Sequence, residues 1–260
     1  ELEKLIKVLT KNDIKYYMYE ILIAINYAHS KGILHRDIKP ANILIDNKNK
    51  KVRLIDWGLA AFYYPNQSYT VRVCTPSFKA PELLLEHKKY HYAVDIWAFG
   101  CMFAALIFQK KYMFQASNFG ELLKKITQCL GSQKLNEMIK KYKINPPDFV
   151  NKFDTYQKKD WKEYISDKPG KDKFVDDVAI DLISKLLVFD PNERLTATEA
   201  MKHPYFDEIR NKNATTNTNN DINNTNDDIK PINGANPNND IKPNNNNDIN
   251  TDNNNENVNN

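Results

Sequence analysis

Cysteine is scarce in this sequence, and long apolar runs are missing from it. Of 260 residues only three are cysteine, Cys74, Cys101 and Cys129, and no C-x-x-C pair occurs. Neither a disulfide framework nor a zinc site is therefore predicted, and a reducing intracellular compartment is expected. No run of about 18 apolar residues is present, and the first residues do not resemble a secretory signal. These absences argue against a secreted or membrane-spanning protein.

Charge is distributed unevenly along the chain, whose net charge is +4. Residues 211–260 contain three Lys and seven acidic residues, so the net charge is −4 there and +8 over residues 1–210. A basic body suits an anionic partner such as a nucleotide, an acidic peptide or a nucleic acid. Solvated surface lysines are the simpler explanation for most of this charge, and no recognised nucleic-acid motif accompanies it. We therefore expect neither a nucleic acid nor a membrane as a partner.

The last fifty residues differ in composition from the rest of the chain. Asn supplies 23 of them, and Asp, Thr, Ile and Lys make up most of the remainder. Such a segment cannot bury enough apolar surface to offset the entropy that is lost on ordering. The sequence thus predicts two parts, a folded body at residues 1–210 and a disordered Asn-rich tail at residues 211–260.

Apolar periodicity predicts that the body is mainly helical. Apolar residues recur at helical spacing in residues 13–30, with Asp13 as the predicted cap and Gly32 as the stop. Two short apolar runs, 43–45 and 52–55, flank a polar turn and predict a β-hairpin. Further helices are predicted at residues 93–108, 120–130, 133–142 and 176–188. The predicted fold class is therefore mainly α, with one or two small β-hairpins.

Two polar motifs lie on either side of the predicted hairpin. The first, His-Arg-Asp-Ile-Lys-Pro-Ala-Asn, occupies residues 35–42, and the second, Asp-Trp-Gly, occupies residues 56–58. Asp37 and Asn42 are five positions apart, and Asp56 follows Asn42 by fourteen. This order and spacing resemble the catalytic and metal-binding loops of protein kinases. Phosphoryl transfer needs a carboxylate that orients the attacking hydroxyl and oxygen ligands that hold Mg²⁺ on the phosphates.

The resemblance to kinases gives each polar residue of these motifs a role. It implies that Asp37 orients the acceptor hydroxyl and that Lys39 stabilises the charge of the transferred phosphoryl group. Asn42 and Asp56 are expected to hold Mg²⁺, and the expected cofactors are ATP and Mg²⁺. The alternative for the first motif is a surface charge cluster in a turn. Its place after an apolar helix and before a hairpin favours the catalytic role.

Further residues match the kinase pattern. Ala-Pro-Glu at residues 80–82 matches the end of an activation segment, and in kinases such a Glu pairs with an arginine, here Arg194. Asp95 lies in an apolar helix and is expected to accept hydrogen bonds from the backbone of the catalytic loop. Leu44 and Ile55 are expected to line the floor of the adenine pocket, a role that is compatible with core packing.

A tryptophan in the second motif and several longer segments match one kinase subfamily. Most kinases have Phe where this chain has Trp57 in Asp-Trp-Gly. The other matching segments are residues 17–22, 54–60, 71–73, 78–79 and 199–201. On these residues, the stretch from 13 to 206 resembles the casein kinase II catalytic (alpha) subunit. The resemblance implies the helical C-terminal lobe of a protein kinase and a cytoplasmic or nuclear location.

The same resemblance implies a serine/threonine kinase that acts on acidic protein substrates. The family reads acidic residues with basic side chains around the activation segment, and Arg72 and Lys79 match two of these. A third family Arg is replaced here by Pro76, and Ala80 stands where the family usually has Gly. The regulatory beta subunit of casein kinase II is a further partner that the resemblance suggests.

The residues before the catalytic loop do not match the nucleotide-covering part of a kinase. Residues 1–34 contain no Gly-rich loop followed by a strand Lys. We therefore expect the chain to represent the C-terminal lobe alone, without the N-terminal β lobe. The alternative is a non-catalytic binding module that docks acidic peptides on Arg72 and Lys79. Retention of every catalytic residue of this lobe favours the enzyme.

Overall fold

The computed structural model describes residues 9–166, 170 and 173–212. The chain divides into two compact units, and all described residues belong to the first, Glu1–Thr225. The second unit, Asn226–Asn260, lies outside the described residues. Apart from residues 211 and 212, the predicted disordered tail also lies outside them. Within the described ranges, none of the helices combines the length and the apolar character that crossing a bilayer requires.

Helix α1, Lys11–Ser30, leads into the catalytic loop. It begins with a capping box, in which Asp13 N donates to Thr10 Oγ1 at 3.1 Å and Thr10 N donates to Asp13 Oδ2 at 3.0 Å. The predicted helix is confirmed, but the cap is Thr10 rather than Asp13, which lies inside the first turn. The helix ends before Gly32, whose φ of 73° is the left-handed conformation that glycine adopts at low cost.

Two small antiparallel sheets follow α1. Strands β2, Ile43–Asp46, and β3, Lys51–Leu54, form the predicted hairpin, with Ile43 opposite Leu54. The second sheet pairs β1, Ile33–Leu34, with β4, Ala61–Phe62. The sequence did not predict this second pair because strands of two residues carry no periodic signal.

Besides helical residues 207–212, several helices follow the sheets in the described chain. They are α2 Pro81–Leu84, α3 Ala93–Ile107, α4 Phe119–Leu130, α5 Ser132–Lys141, α6 Asp177–Leu186 and α7 Ala197–Met201. Short 3₁₀ turns occur at Pro40–Asn42, Pro76–Phe78, Val150–Lys152, Trp161–Tyr164 and Pro204–Phe206. The four predicted helices after the hairpin are therefore confirmed, with ends shifted by one or two residues, and the mainly helical fold class is confirmed for the described residues.

Helix α3 is the centre of the core, and all of its residues are buried. It packs against α6, while α1 packs against α7. Close approach to the α6 end depends on Gly100, where an added Cβ would lie 2.9 Å from Leu187 Cδ2 and 3.0 Å from Leu186 Cβ. A larger residue at position 100 would therefore collide with these leucines, although the backbone conformation there would allow it.

A buried ion pair joins α2 to the loop before α7. Arg194 Nη1 and Nη2 each donate to one carboxylate oxygen of Glu82, at 2.7 Å, and both side chains are fully buried. The remaining three N–H groups of the guanidinium donate to backbone carbonyls, at Val188, Ala93 and Phe189. All five donors of Arg194 are thus satisfied. The pairing predicted from the sequence is confirmed.

Candidate active site

The catalytic loop is held in place by the buried carboxylate of Asp95 on α3. Its Oδ2 accepts from His35 N at 2.9 Å, and its Oδ1 accepts from Arg36 N at 2.7 Å. His29 on α1 donates Nε2–H to Oδ2 at 2.9 Å. Burial by itself raises the pKa of Asp95, but these hydrogen bonds outweigh it, and the pKa of Asp95 lies below its usual value. The predicted contact between Asp95 and the loop backbone is confirmed.

Replacing Asp95 with Asn should destabilise the protein by about 2–3 kcal/mol at neutral pH, because hydrogen bonds to a charged acceptor are lost in the core. Since the folded-state pKa of Asp95 is lowered, its stabilisation is present above the unfolded pKa of about 3.9 and is lost as the pH falls through the folded pKa. In urea unfolding, the difference in the free energy of unfolding between the wild type and Asp95→Asn should therefore become smaller below about pH 4. A difference in the free energy of unfolding that does not change with pH would contradict this prediction. Asp46→Asn, an exposed hairpin residue, serves as the control.

Arg36 connects the catalytic loop to the segments that follow the second motif. Its backbone is left-handed, with φ of 66°. Its Nε donates to Leu59 O at 2.6 Å, and its Nη1 donates to Tyr90 OH at 3.2 Å. Tyr90 OH in turn donates to Thr70 O at 2.7 Å. The Arg36 guanidinium therefore links the catalytic loop directly to Leu59 and, through Tyr90, to Thr70.

The carboxylate of Asp37 accepts four hydrogen bonds. Lys39 Nζ and Asn42 Nδ2 donate to Oδ2, at 2.7 and 3.1 Å. Thr75 donates to Oδ1 with both its N–H and its hydroxyl, at 3.1 and 2.9 Å. Burial raises the pKa of Asp37, but the bonds from Lys39 and Thr75 prevail and lower it overall. Asp37 is thus an anionic acceptor at neutral pH.

Thr75 places an aliphatic hydroxyl at the centre of the site. Besides donating to Asp37, its Oγ1 accepts from Lys39 Nζ at 3.0 Å. Asp37, Lys39 and Thr75 therefore form a closed triangle of hydrogen bonds. Sequence reasoning assigned Thr75 no role in the site. Its role in the site was missed because residues 37 and 75 come together only in the tertiary structure.

The second motif lies beside the catalytic loop. Ile55 N donates to Asn42 O at 3.0 Å, and His35 donates Nε2–H to Ile55 O at 3.1 Å. The ring of His35 packs edge-on against Trp57, with centroids 4.6 Å apart. Burial lowers the pKa of His35, so the imidazole is neutral at neutral pH. These contacts bring Asp56 next to Asn42.

The oxygen donors of Asn42 and Asp56 fit a magnesium site. Asp56 is exposed, with φ of 63°, and Gly58 N lies 3.4 Å from its Oδ1. Asn42 uses its amide nitrogen on Asp37, which leaves the amide oxygen for another partner. Mg²⁺ is commonly held by one or two protein oxygens together with substrate phosphates. Among the residues that the structure describes, no group of three His, Cys, Asp or Glu could hold a metal.

The protein kinase domain family model matches residues 1–206. The chain belongs to the protein kinase domain family. This membership supports a kinase and transferase function in general. Within the kinase domain, Asp37 is anionic, and Asn42 and Asp56 lie on the two loops that flank the β2–β3 hairpin.

The predicted adenine-pocket residues lie on the hairpin of the kinase domain. Leu44 is 50% exposed on β2, although its neighbour Ile43 is buried in the core. Ile55 is partly buried directly after β3. An exposed leucine beside the catalytic loop is compatible with a ligand-facing position, and the adenine role of both residues stays a prediction.

The two predicted substrate-binding residues have different surroundings. Arg72 is exposed, and its backbone N donates to Thr70 Oγ1 at 3.2 Å. It lines an open groove of about 520 Å³ together with Lys88, Glu86 and the hydroxyl-bearing residues Ser68 and Thr70. The Arg72 side chain is therefore accessible from solvent, and its contact with a substrate stays a prediction.

Lys79 does not have the exposed position that the sequence suggested. It is only 3% exposed, and its ammonium donates to the backbone carbonyls of Val71, at 2.6 Å, and Val73. Burial lowers the pKa of Lys79. Because its ammonium is already bonded inside the protein, the prediction of direct contact between Lys79 and a substrate needs correction. Lys79 instead holds the backbone on either side of Arg72.

Proposed function

We propose that this kinase domain is a serine/threonine kinase of casein kinase II type, which transfers the γ-phosphoryl group of ATP to Ser or Thr in acidic contexts. The observation that carries the proposal is the triangle of Asp37, Lys39 and Thr75. In this triangle the Asp37 carboxylate accepts a hydrogen bond from the Thr75 hydroxyl at 2.9 Å, and the Lys39 ammonium lies 3.0 Å from that hydroxyl oxygen. A substrate Ser or Thr would present the same chemical group.

Each residue of the site has one task in the proposed reaction. Asp37 accepts a hydrogen bond from the substrate hydroxyl and orients its oxygen towards the γ-phosphorus. Lys39 stabilises negative charge on the transferred group. Asn42 and Asp56 would hold Mg²⁺, whose chemistry is to neutralise charge on the β- and γ-phosphate oxygens. As the bond between the substrate oxygen and the γ-phosphorus forms, the bond from the γ-phosphorus to the β,γ-bridging oxygen breaks, ADP leaves, and the proton of the hydroxyl passes to Asp37.

The described residues would provide one side of the nucleotide site. We propose that residues 9–212 correspond to the helical C-terminal lobe of the kinase fold, with Leu44 and Ile55 contributing to the adenine-facing surface. Their support is the position of the hairpin beside the catalytic loop and the exposure of Leu44. Kinetic tests should therefore use the full-length protein.

Acidic protein substrates are the proposed partners, and Arg72 is the proposed contact. Replacing Arg72 with Gln should raise the KM for an acidic Ser peptide about two- to fivefold, the usual size of a partly exposed charge contact. The KM for a peptide with neutral flanks should stay unchanged. Peptides with Tyr in place of Ser should not be phosphorylated. An equal rise in KM for the acidic and the neutral Ser peptide would contradict the proposal. Phosphorylation of the Tyr peptide would also contradict it. Lys48→Gln, in the hairpin turn, is the control.

A non-catalytic binding module is a second candidate function. It is supported by the groove around Arg72, which the described residues form without any nucleotide. The two candidates differ in one respect that can be measured. Acidic peptide binding without phosphate transfer by the full protein would favour the binding module, whereas transfer that depends on Asp37 would favour the kinase.

A further inference from the structure

Two exposed lysines lie against the carboxyl end of helix α4. Lys159 N donates to Cys129 O at 3.0 Å. A Cβ added to Gly131, directly after the helix, would lie only 3.1 Å from Lys158 N, so the backbone of Lys158 approaches the same turn. Both lysine side chains are exposed to solvent. The loop at residues 158–159 therefore places two lysines beside one helix end.

A third lysine approaches from the end of helix α3. The ammonium of Lys110 lies 4.7 Å from the ring centroid of Tyr164 and 6.0 Å from that of Phe108. Trp161 packs on both rings, with centroids 6.3 Å from Phe108 and 5.7 Å from Tyr164. Phe108 and Trp161 are buried, so they support the lysine rather than offer a surface of their own. Cation–π contact thus holds the ammonium of Lys110 against this aromatic group.

The charges of these three lysines converge on one point of the fold, the thiol of Cys129. Burial raises the pKa of Cys129 to about 11, while a bond to Tyr164 and the charges of Lys159, Lys158 and Lys110 act in the opposite direction. Charges that act on one thiol lie near one another, because their effect falls with distance. We call Lys110, Lys158 and Lys159 the lysine patch.

The lysine patch is not neutralised within the part of the chain that the structure describes. None of the ion pairs there includes one of its three lysines. The carboxylates next to it in sequence, Asp160 and Glu163, are bonded within their own turn. Asp160 Oδ1 accepts from Lys162 N at 2.8 Å, and Glu163 Oε1 accepts from Asp160 N at 3.0 Å. The end of the α4 dipole supplies only about half a negative charge, so the patch keeps a positive excess.

Helix α4 separates the lysine patch from the activation segment. Its 12 residues span about 18 Å. Its first residue, Phe119, lies beside the activation segment, since the ammonium of Lys79 is 5.2 Å from the Phe119 ring centroid. The patch lies at the other end. An extended peptide covers about 18 Å in five or six residues, so a protein substrate is long enough to reach both ends of α4.

We propose that the lysine patch is a second docking surface for acidic protein substrates, which binds an Asp- or Glu-rich segment at a distance from the phosphoacceptor. The inference rests on the proposed kinase function, which supplies the kind of partner. Carboxylates fit because unpaired ammonium groups attract them and steer their association. A nucleic acid fits less well, because Phe108 and Trp161 are too buried to stack on bases.

The kinetic test compares two Ser peptides that are identical around Ser, one of which continues through a Gly/Ala linker into a cluster of glutamates. For the wild-type full-length protein the cluster should lower KM about three- to tenfold, the size expected of two or three exposed charge contacts. Lys158→Gln/Lys159→Gln should lose this gain and phosphorylate the short peptide at the wild-type rate. Lys140→Gln/Lys143→Gln, which removes two exposed lysines near the end of α5, should keep it. A gain that survives in Lys158→Gln/Lys159→Gln would overturn the proposal.

A binding assay separates failure of this inference from failure of the proposed function. Hexaglutamate, which has no acceptor hydroxyl, is titrated into the full-length protein while the indole N–H signals of its tryptophans are followed by NMR. The Trp161 signal should shift, because its ring packs on the aromatic group under the patch, whereas the signal of the buried Trp97 should not. High salt and Lys158→Gln/Lys159→Gln should each abolish the shift.

The outcomes of this titration distinguish the two proposals. A shift of Trp161 that depends on Lys158 and Lys159 supports the docking surface even if no peptide is ever phosphorylated. The absence of a shift in the folded wild-type protein would overturn the docking surface while leaving the kinase function standing. A shift caused by duplex DNA but not by hexaglutamate would overturn it as well, because the patch would then be a nucleic-acid site.

Discussion

Replacing Asp37 with Asn should lower the rate of phosphoryl transfer by about 10²- to 10⁴-fold, the usual contribution of a positioned acid or base. The amide keeps the size of the carboxylate but cannot take up the proton of the substrate hydroxyl. It also lacks the negative charge that Lys39 and the Thr75 hydroxyl approach at 2.7 and 2.9 Å. The fall should appear in kcat, with little change in KM, because the interaction matters most in the transition state. Initial rates with an acidic Ser peptide provide the measurement.

The control for this variant is Asp46→Asn, which alters an exposed carboxylate at the end of β2. Its rate should equal that of the wild type. Both variants should show a normal far-ultraviolet spectrum, because an asparagine amide keeps the size of the aspartate carboxylate it replaces. If Asp37→Asn kept more than about a tenth of the wild-type rate, Asp37 would not orient the acceptor.

Replacing Arg194 with Met should destabilise the protein by about 3–5 kcal/mol, the cost of leaving one partner of a buried ion pair uncompensated. Glu82 would lose both of its hydrogen bonds at 2.7 Å, and three backbone carbonyls would lose a donor. The packing of the guanidinium over Trp97, 5.0 Å from the ring centroid, would change as well. For a domain of this size we expect Tm to fall by roughly 10 °C. Thermal unfolding measured by circular dichroism tests this.

The double variant Arg194→Met with Glu82→Leu isolates the cause. If the cost comes from the unpaired Glu82 carboxylate, removing that charge should restore part of the stability. The matched control is Lys134→Met, because Lys134 pairs with Glu137 at 2.8 Å on the exposed face of α5. Exposed pairs contribute about 0–1 kcal/mol, so Tm should move by only a few degrees. Equal shifts for the two single variants would contradict the role of burial.

The sequence predicted the elements whose signals are local. Helix α1 and the β2–β3 hairpin followed from apolar periodicity, and spacing alone placed Asp37, Asn42 and Asp56 in the relevant loops. The contacts of Asp95 with the loop backbone and the pair of Glu82 with Arg194 were also predicted. These residues are buried and charged, so they need partners, and the kinase pattern named those partners.

The features that were not predicted depend on tertiary contacts. Thr75 contacts Asp37 across 38 residues of sequence, directly after Cys74, whose φ of 66° is left-handed. The sequence around Lys79 does not distinguish it from an exposed lysine. In the structure its ammonium donates to two backbone carbonyls inside the protein. The contact between this ammonium and the exposed ring of Phe119 was not predicted either, because Phe119, the first residue of α4, is 40 residues from Lys79 in the sequence.

The most direct test of the central claim is transfer of the γ-phosphate of ATP to an acidic Ser peptide by the full-length protein, followed by mass spectrometry. The account predicts phosphoserine that requires Mg²⁺ and is abolished by a chelator, and it predicts that Asp37→Asn and Asp56→Ala each remove the product. Transfer that persists in both variants would contradict the assignment of this site. So would the absence of any transfer by a folded wild-type protein that binds the peptide.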